Sequence, residues 1–150
     1  MSIEKKLSEI GVELPTAASP VGAYVPAVRS GKHIFTSGQV PLVNGEIKYA
    51  GKVGVDVSEE DAYQAAKICV INCLAAIKGL TGSLDGIKQI VKVTGFVNSA
   101  PDFTAHAKVV NGASEFLGQL FETGHARAAV GVAALPLNAV VEVEMIVEVE

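Results

Sequence analysis

Apolar residues along this chain switch between two periods, and the switches mark out its elements. Ile3, Leu7 and Ile10 fall at helical spacing and Gly11 stops the run, so residues 3–10 read as a short helix. The Pro- and Gly-rich stretch from Pro15 to Gly22 reads as a loop. Tyr24–Arg29 and His33–Thr36 are rich in β-branched and aromatic residues, and Ser30-Gly31 between them supplies the turn of a hairpin. Val40-Pro41 ends the second strand because proline cannot donate to a ladder, and Asn44-Gly45 marks a tight turn. Ser58 is a good N-cap, followed by Glu59, Glu60 and Asp61 in the first turn. From there Ala62, Ala65, Ala66, Cys69, Cys73, Ala76, Ile77 and Leu80 form one apolar stripe, and Gly79 and Gly82 mark its end. Ile87–Asn98 reads as a long strand with Ile87, Val91, Val93 and Val97 on one parity. Pro101, in the favoured first-turn position, opens a second helix past Phe116, Leu117 and Leu120 to Gly124. Ala128–Leu135 and Val140–Val149 are the last strands, separated by Pro136-Leu137-Asn138.

The order strand, strand, helix, strand, helix, strand, strand predicts an α+β fold, with two helices covering one face of a mostly antiparallel sheet. The other face is left bare and apolar, and oligomerisation usually buries such a surface. Hydrophobic residues make up 49 % of the 150 positions, and no linker or repeat divides them, so residues 1–150 are expected to form one domain. No apolar run approaches the ~20 residues of a membrane span, and the mixed-charge start Met1-Ser2-Ile3-Glu4-Lys5-Lys6 is unlike a signal peptide. A cytoplasmic protein without a membrane partner is expected. The net charge is −4, the only arginines are Arg29 and Arg127, and the lysines are scattered, which disfavours a nucleic-acid partner.

Candidate chemistry is sparse. Cys69 and Cys73 share a helix face without a histidine or second cysteine pair nearby, and read as small core residues rather than as a zinc or redox pair. Arg127 sits among small apolar residues where a helix gives way to a strand. It can present a planar fork to a carboxylate, or serve as a structural charge. Glu142 and Glu144 share one sheet face, opposite Val141 and Val143, and by themselves read as a solvated face. Ser37-Gly38-Gln39 ends a strand where Gly38 lets a ligand approach the backbone. His33, His106 and His125 have no metal-type spacing, and neither a nucleophile elbow nor a phosphate-binding glycine loop is present. No metal and no cofactor is expected.

Several blocks in order resemble one family. Tyr24-Val-Pro-Ala-Val with Ile34-Phe35-Thr36-Ser37-Gly38-Gln39-Val40-Pro41 resembles the opening hairpin of the RidA/YjgF proteins. Ser83-Leu84-Asp85 through Lys92-Val93-Thr94-Gly95-Phe96-Val97 to Asp102-Phe103 resembles their central strand. The most specific match is Arg127-Ala-Ala-Val-Gly-Val-Ala-Ala-Leu135-Pro136 followed by Val141-Glu142-Val143-Glu144. The resemblance runs from about Tyr24 to the C-terminus and leaves residues 1–22 as an N-terminal helix and loop extension.

The resemblance implies a fold similar to the Bacillus-type chorismate mutase, assembled as a homotrimer with ligand clefts between neighbouring subunits. It also implies hydrolysis of enamines and imines such as 2-aminoacrylate to 2-oxo acids and ammonia, without a cofactor. By position, Arg127 matches the arginine that grips the substrate carboxylate, and Glu142 the glutamate that orients water. Tyr24, Ser37, Gly38 and Asn111 match other substrate-binding positions, with Tyr24 crossing from the next subunit. Ala129 stands at a binding position where many members carry cysteine, and His125 where a proline is common. These departures suggest a side branch. Two alternative readings are a non-catalytic module that binds 2-oxo acids and a single-strand endoribonuclease, the second disfavoured by the acidic charge and the absence of an aromatic track.

Overall fold

The computed structural model describes residues 2–17 and 22–150. The loop expected over 15–22 therefore lies partly outside the described residues. Helix α1 covers Ile3–Glu9, with Ser2 as N-cap and Gly11 in the left-handed region at φ +76°. Strands β1 (Ala27–Ser30) and β2 (His33–Thr36) form the expected hairpin, and β3 (Leu42–Val43) and β4 (Glu46–Ile47) a second, small one about Asn44-Gly45. They are followed by α2 (Glu59–Thr81), β5 (Ile87–Asn98), α3 (His106–Gly118), β6 (Ala126–Val132) and β7 (Val141–Val149).

The main sheet has five strands in the order β1-β2-β7-β5-β6. All its pairs are antiparallel except β5 and β6, which run parallel because α3 crosses over between them. Helices α2 and α3 lie on one face. Val141, Val143, Met145, Val147 and Val149 of β7 are buried beneath them, with Val93 and Val97 of β5. The alternate residues of β7 point the other way, as the period of a strand requires. The α+β expectation, with two helices on one face of a mixed, mostly antiparallel sheet, therefore holds.

Helix α2 shows why its sequence was readable. The Ser58 hydroxyl accepts from Asp61 N at 3.1 Å, and Gly82 closes the helix at φ +83°. The predicted stripe is buried except at its end, where Leu80 is 46 % exposed. Helix α2 is long and apolar enough to cross a membrane by length and composition alone. Here its apolar side instead packs on β7 and α3. Cys69 and Cys73 are fully buried in that contact and donate weakly to the carbonyls of Val141 and Val143. Burial pushes the Cys73 thiol up to about 12, so it stays protonated. Both cysteines are core, as expected.

Several boundaries differ from the pattern. Helix α3 starts at His106 rather than Pro101. Residues 99–104 instead fold against the 53–57 segment, where Ala100 N donates to Val53 O and Phe103 N to Ala100 O. The helix ends at Gly118 rather than Gly124, with its last turn tightened by bonds from Gln119 N to Phe116 O and Leu120 N to Leu117 O. Strand β1 begins at Ala27 rather than Tyr24, and β6 spans Ala126–Val132 rather than Ala128–Leu135. In β5, register shifts between Ile87 and Gln89 and between Ile90 and Lys92 break the parity, so that Ile90 is buried and Val91 only half-buried.

The N-terminal helix is fastened to the core. Ile3 and Leu7 are buried, and Glu4 pairs with Lys78 and accepts from Ser83 Oγ at 2.8 Å. Those bonds hold the Glu4 carboxyl below its ordinary value. Helix α3 closely approaches α2 at Gly112, where a Cβ would run into the backbone carbonyl of Tyr63 on α2. No rotamer relieves a clash between a Cβ and a backbone atom. Gly112→Ala is expected to destabilise the fold by about 1–3 kcal/mol through overpacking, despite the ~1 kcal/mol that alanine gains in helix propensity. Urea unfolding measures this, and a variant as stable as wild type would mean that α2 and α3 can slide apart freely.

Candidate functional site

The expected site residues fall into two groups on opposite faces of the sheet. The first group gathers where the edge strand β6 meets α3. Arg127 pairs in register with Val93 of β5, which is buried under the helices, so its side chain leaves on the helix side. There Nη1 donates to Asn111 Oδ1 at 2.7 Å and to Ser114 Oγ at 3.2 Å, while Nη2 donates to Ala107 O at 3.4 Å. The guanidinium is aimed by three acceptors from α3 and meets no carboxylate among the described residues. Its remaining N–H groups are left for an anion. Ala129, two residues along β6, lies on the same face and packs against the core.

Two further members of this group, Ser114 and His125, carry no role that the sequence pattern or the resemblance assigns. Ser114 lies three residues after Asn111, hence one turn along the same helix face, and is shared by Arg127 and His125. The His125 Nε2 lies 2.9 Å from Ser114 Oγ. Burial, and then the nearby Arg127 charge, hold the His125 imidazole below its ordinary pKa. A neutral histidine there adds no competing cation. The i, i+3 spacing of Asn111 and Ser114 was the clue available.

The second group lies on the open face. Glu142 pairs with Phe96, which in turn pairs with Val130, so all three project away from the helices. Beyond the end of β2, Gln39 exchanges backbone hydrogen bonds with Val143, at 2.8 and 3.0 Å, bringing Gly38 beside Glu142. A Cβ on Gly38 would overlap the Glu142 carboxylate, so glycine leaves that carboxylate its place against the backbone. The Ser37 hydroxyl donates to Val25 O at 2.6 Å and Ser37 N to Pro26 O at 2.8 Å, tying down the segment that carries the half-exposed Tyr24. Glu142 is half-buried, and burial, followed by the Glu144 charge, raises its carboxyl above the ordinary value. A carboxylate poised upward is suited to accept and return a proton.

Gly38 thus sits beside Glu142, with Ser37 next to it and bonded to the segment that carries Tyr24, while Arg127 meets Asn111 and shares its face with Ala129. The sheet separates the two sets, and one chain does not bring Arg127 and Glu142 onto the same small ligand. The open face between them mixes the Glu142 and Glu144 carboxylates with Ile146, Phe35 (44 % exposed), Val28 (52 %) and Val130 (43 %). It is therefore less uniformly apolar than the pattern implied. Among the described residues no cluster of three His, Cys, Asp or Glu could hold a metal.

A mixed five-stranded sheet under two helices, with an arginine fork at one edge and a poised glutamate on the open face, defines a small α+β protein of the YjgF and chorismate-mutase-like class. The chain belongs to this family: residues 4–149 match the family described as "YjgF/chorismate_mutase-like, putative endoribonuclease". It is 39 % identical to Protein TCP17 of Trypanosoma cruzi, over 97 % of this chain and 93 % of that one. It is 32 % identical to the 2-iminobutanoate/2-iminopropanoate deaminase of Dermatophagoides farinae, over 93 % and 95 %. Among solved structures, Atu1372 of Agrobacterium tumefaciens, of unknown function, superposes with a TM-score of 0.90 at 44 % identity, covering 99 % of this chain and 92 % of that one. Escherichia coli TdcF with bound serine superposes with a TM-score of 0.67 at 28 % identity, covering 89 % and 94 %.

Proposed function

We propose that the protein hydrolyses enamines and imines derived from amino acids, such as 2-aminoacrylate, to 2-oxo acids and ammonia. The observation that carries this reading is the division of the site: an aimed arginine fork with no carboxylate partner among the described residues on one face, and a half-buried glutamate with a raised pKa on the other. Each is half of what the reaction needs. A homotrimer that sets β6 of one copy against the open face of the next would join Arg127, Asn111 and Ala129 to Glu142, Gly38, Ser37 and Tyr24. The exposed Val28, Phe35 and Val130 supply the apolar surface for such a contact.

The chemistry makes modest demands. The enamine takes a proton at carbon, gives one up from nitrogen and becomes an imine. Water then adds to the imine carbon, its protons passing to nitrogen, and ammonia leaves as the carbonyl forms. Arg127 holds the substrate carboxylate, and Glu142 orients the water, accepts its proton and delivers it to the departing nitrogen. The related deaminase and the serine held by TdcF support a small amino-acid-like ligand. The family description also includes ribonuclease activity, for which a chain with a net charge of −4 is poorly equipped.

Coupling the protein to an enzyme that generates imines from a panel of amino acids tests the reading. Accelerated ammonia release is expected, and release at the uncatalysed rate for every amino acid would overturn it. Sedimentation at micromolar concentration is expected to give about three times the 15.5 kDa chain mass. A stable monomer would leave Arg127 and Glu142 apart and remove the proposed site.

A further inference from the structure

A recess of about 560 Å³ opens where the parallel strands β5 and β6 end and α3 begins. Its polar end is built from three side chains. Lys52 Nζ donates to Asn98 Oδ1 at 2.7 Å and to Ala133 O at 2.6 Å, which fixes the ammonium and leaves one N–H free. Ser99 Oγ lies 3.3 Å from His106 Nε2, and the His106 ring is held edge-on by Phe103 with ring centres 5.5 Å apart. Asn98 is itself pinned, its amide donating to Gly51 O and Ala139 O. The remaining walls are apolar: Ala100, Pro101, Phe103 and Val132.

The charge at this recess is one-sided. Lys52 makes no ion pair among the described residues. The nearby Asp56 turns its carboxylate to the backbone N–H of Lys52 and does not line the recess. Helix α3 begins here with Ala105 as N-cap, which offers no side-chain acceptor to the first-turn N–H groups. Gly131 keeps the space open, since a Cβ there would lie 2.5 Å from His106 Nε2 and 3.1 Å from Ser99 Oγ.

We propose that this recess is a second binding site, for a small monocarboxylate with a compact apolar body. Lys52 and the Ser99–His106 pair receive the carboxylate, and Phe103, Pro101 and Val132 cover the body. A bare phosphate would leave that apolar wall unused. The site does not depend on the deaminase reading, because none of its residues belongs to the Arg127 or Glu142 groups.

Titrating the full-length, isotopically labelled protein with isovalerate and following backbone amide shifts tests it. Saturable shifts at Ser99, His106, Gly131 and Ala133 are expected, and also in Arg127→Lys. Lys52→Met should weaken binding about tenfold or more, the loss of a charge-assisted bond. Because Lys52 also holds Asn98 and Ala133, Gly131→Ala is the companion variant; it leaves those bonds intact, fills the recess and should weaken binding as well. The neutral isovaleramide should not bind. Unchanged affinity in both Lys52→Met and Gly131→Ala, binding lost only in Arg127→Lys, or no shift at the recess would each overturn the site. Inorganic phosphate binding as tightly as isovalerate would overturn the monocarboxylate assignment.

Discussion

Arg127→Lys is expected to lose most imine hydrolysis while the fold and assembly persist. The guanidinium works as a positioned fork, with Nη1 on Asn111 Oδ1 and Ser114 Oγ and Nη2 on Ala107 O. Lysine keeps the charge but presents a rotating point donor instead of a plane. Truncating one partner of a charged hydrogen-bonded pair typically costs about 2–5 kcal/mol, which corresponds to roughly 30- to several-thousand-fold in kcat/KM. Stability should change little, because Arg127 is only half-buried and meets no carboxylate among the described residues. Asn111→Ala should produce a smaller loss of the same kind, since it removes an acceptor that aims the fork while leaving the fork itself. Steady-state kinetics beside a thermal melt separates these effects. Wild-type turnover in Arg127→Lys would return the residue to a structural role on α3.

The fold was legible where local chemistry and packing agree. Helix α2 announced itself through Ser58, three acids and an unbroken stripe, because every one of those choices also serves the packed structure. The start of α3 was not legible. Pro101 is compatible with a helix's first turn, yet the backbone bonds of Ala100 and Phe103 hold that stretch in another conformation, and such tertiary contacts leave no periodic trace. The bulges of β5 were hidden for the same reason, since Ile90 and Val91 are both apolar.

The site was legible in its residues and illegible in its geometry. Arg127 and Glu142 could be named as candidates through the family resemblance, since by themselves they read as an open choice and a solvated face, but the resemblance did not give the faces they occupy. In Ala126-Arg127-Ala128-Ala129-Val130 the apolar residues lie on both parities, so alternation cannot say which side meets the helices. Only the register of β6 against β5 and of β5 against β7 puts Arg127 on one side and Glu142 on the other. In the proposed reaction it is that register which calls for a second copy. The bare-face pattern suggested an oligomer, yet it could not divide the chemistry between copies.

Glu142→Gln is expected to separate turnover from binding. Glutamine keeps the shape beside Gly38 and the reach toward a water, yet it cannot take a proton. Turnover should fall by about 10²- to 10⁴-fold, the usual range for a lost acid–base group, while a 2-oxo acid still binds through Arg127. The same substitution should raise stability near neutral pH. The Glu142 carboxyl is raised in the folded state by burial and by Glu144, so between its unfolded and folded pKa values the native protein holds more protons than the unfolded chain. Stability therefore falls as pH climbs through that window, and the cost is complete above it. Glutamine carries no such cost, so its melting advantage should appear at neutral pH and vanish once the wild-type carboxyl is protonated. Glu144→Gln is the informative partner, because it removes the charge that helps to raise Glu142 without removing the base. Its plateau rate should stay near wild type while the acidic limb of its pH–rate profile moves to lower pH. Calorimetric titration with a 2-oxo acid and the imine assay across pH, run on both variants, decide the matter. Equal losses in the two would mean that the charge of β7 matters as a whole, and full activity in Glu142→Gln would take that carboxylate out of the reaction.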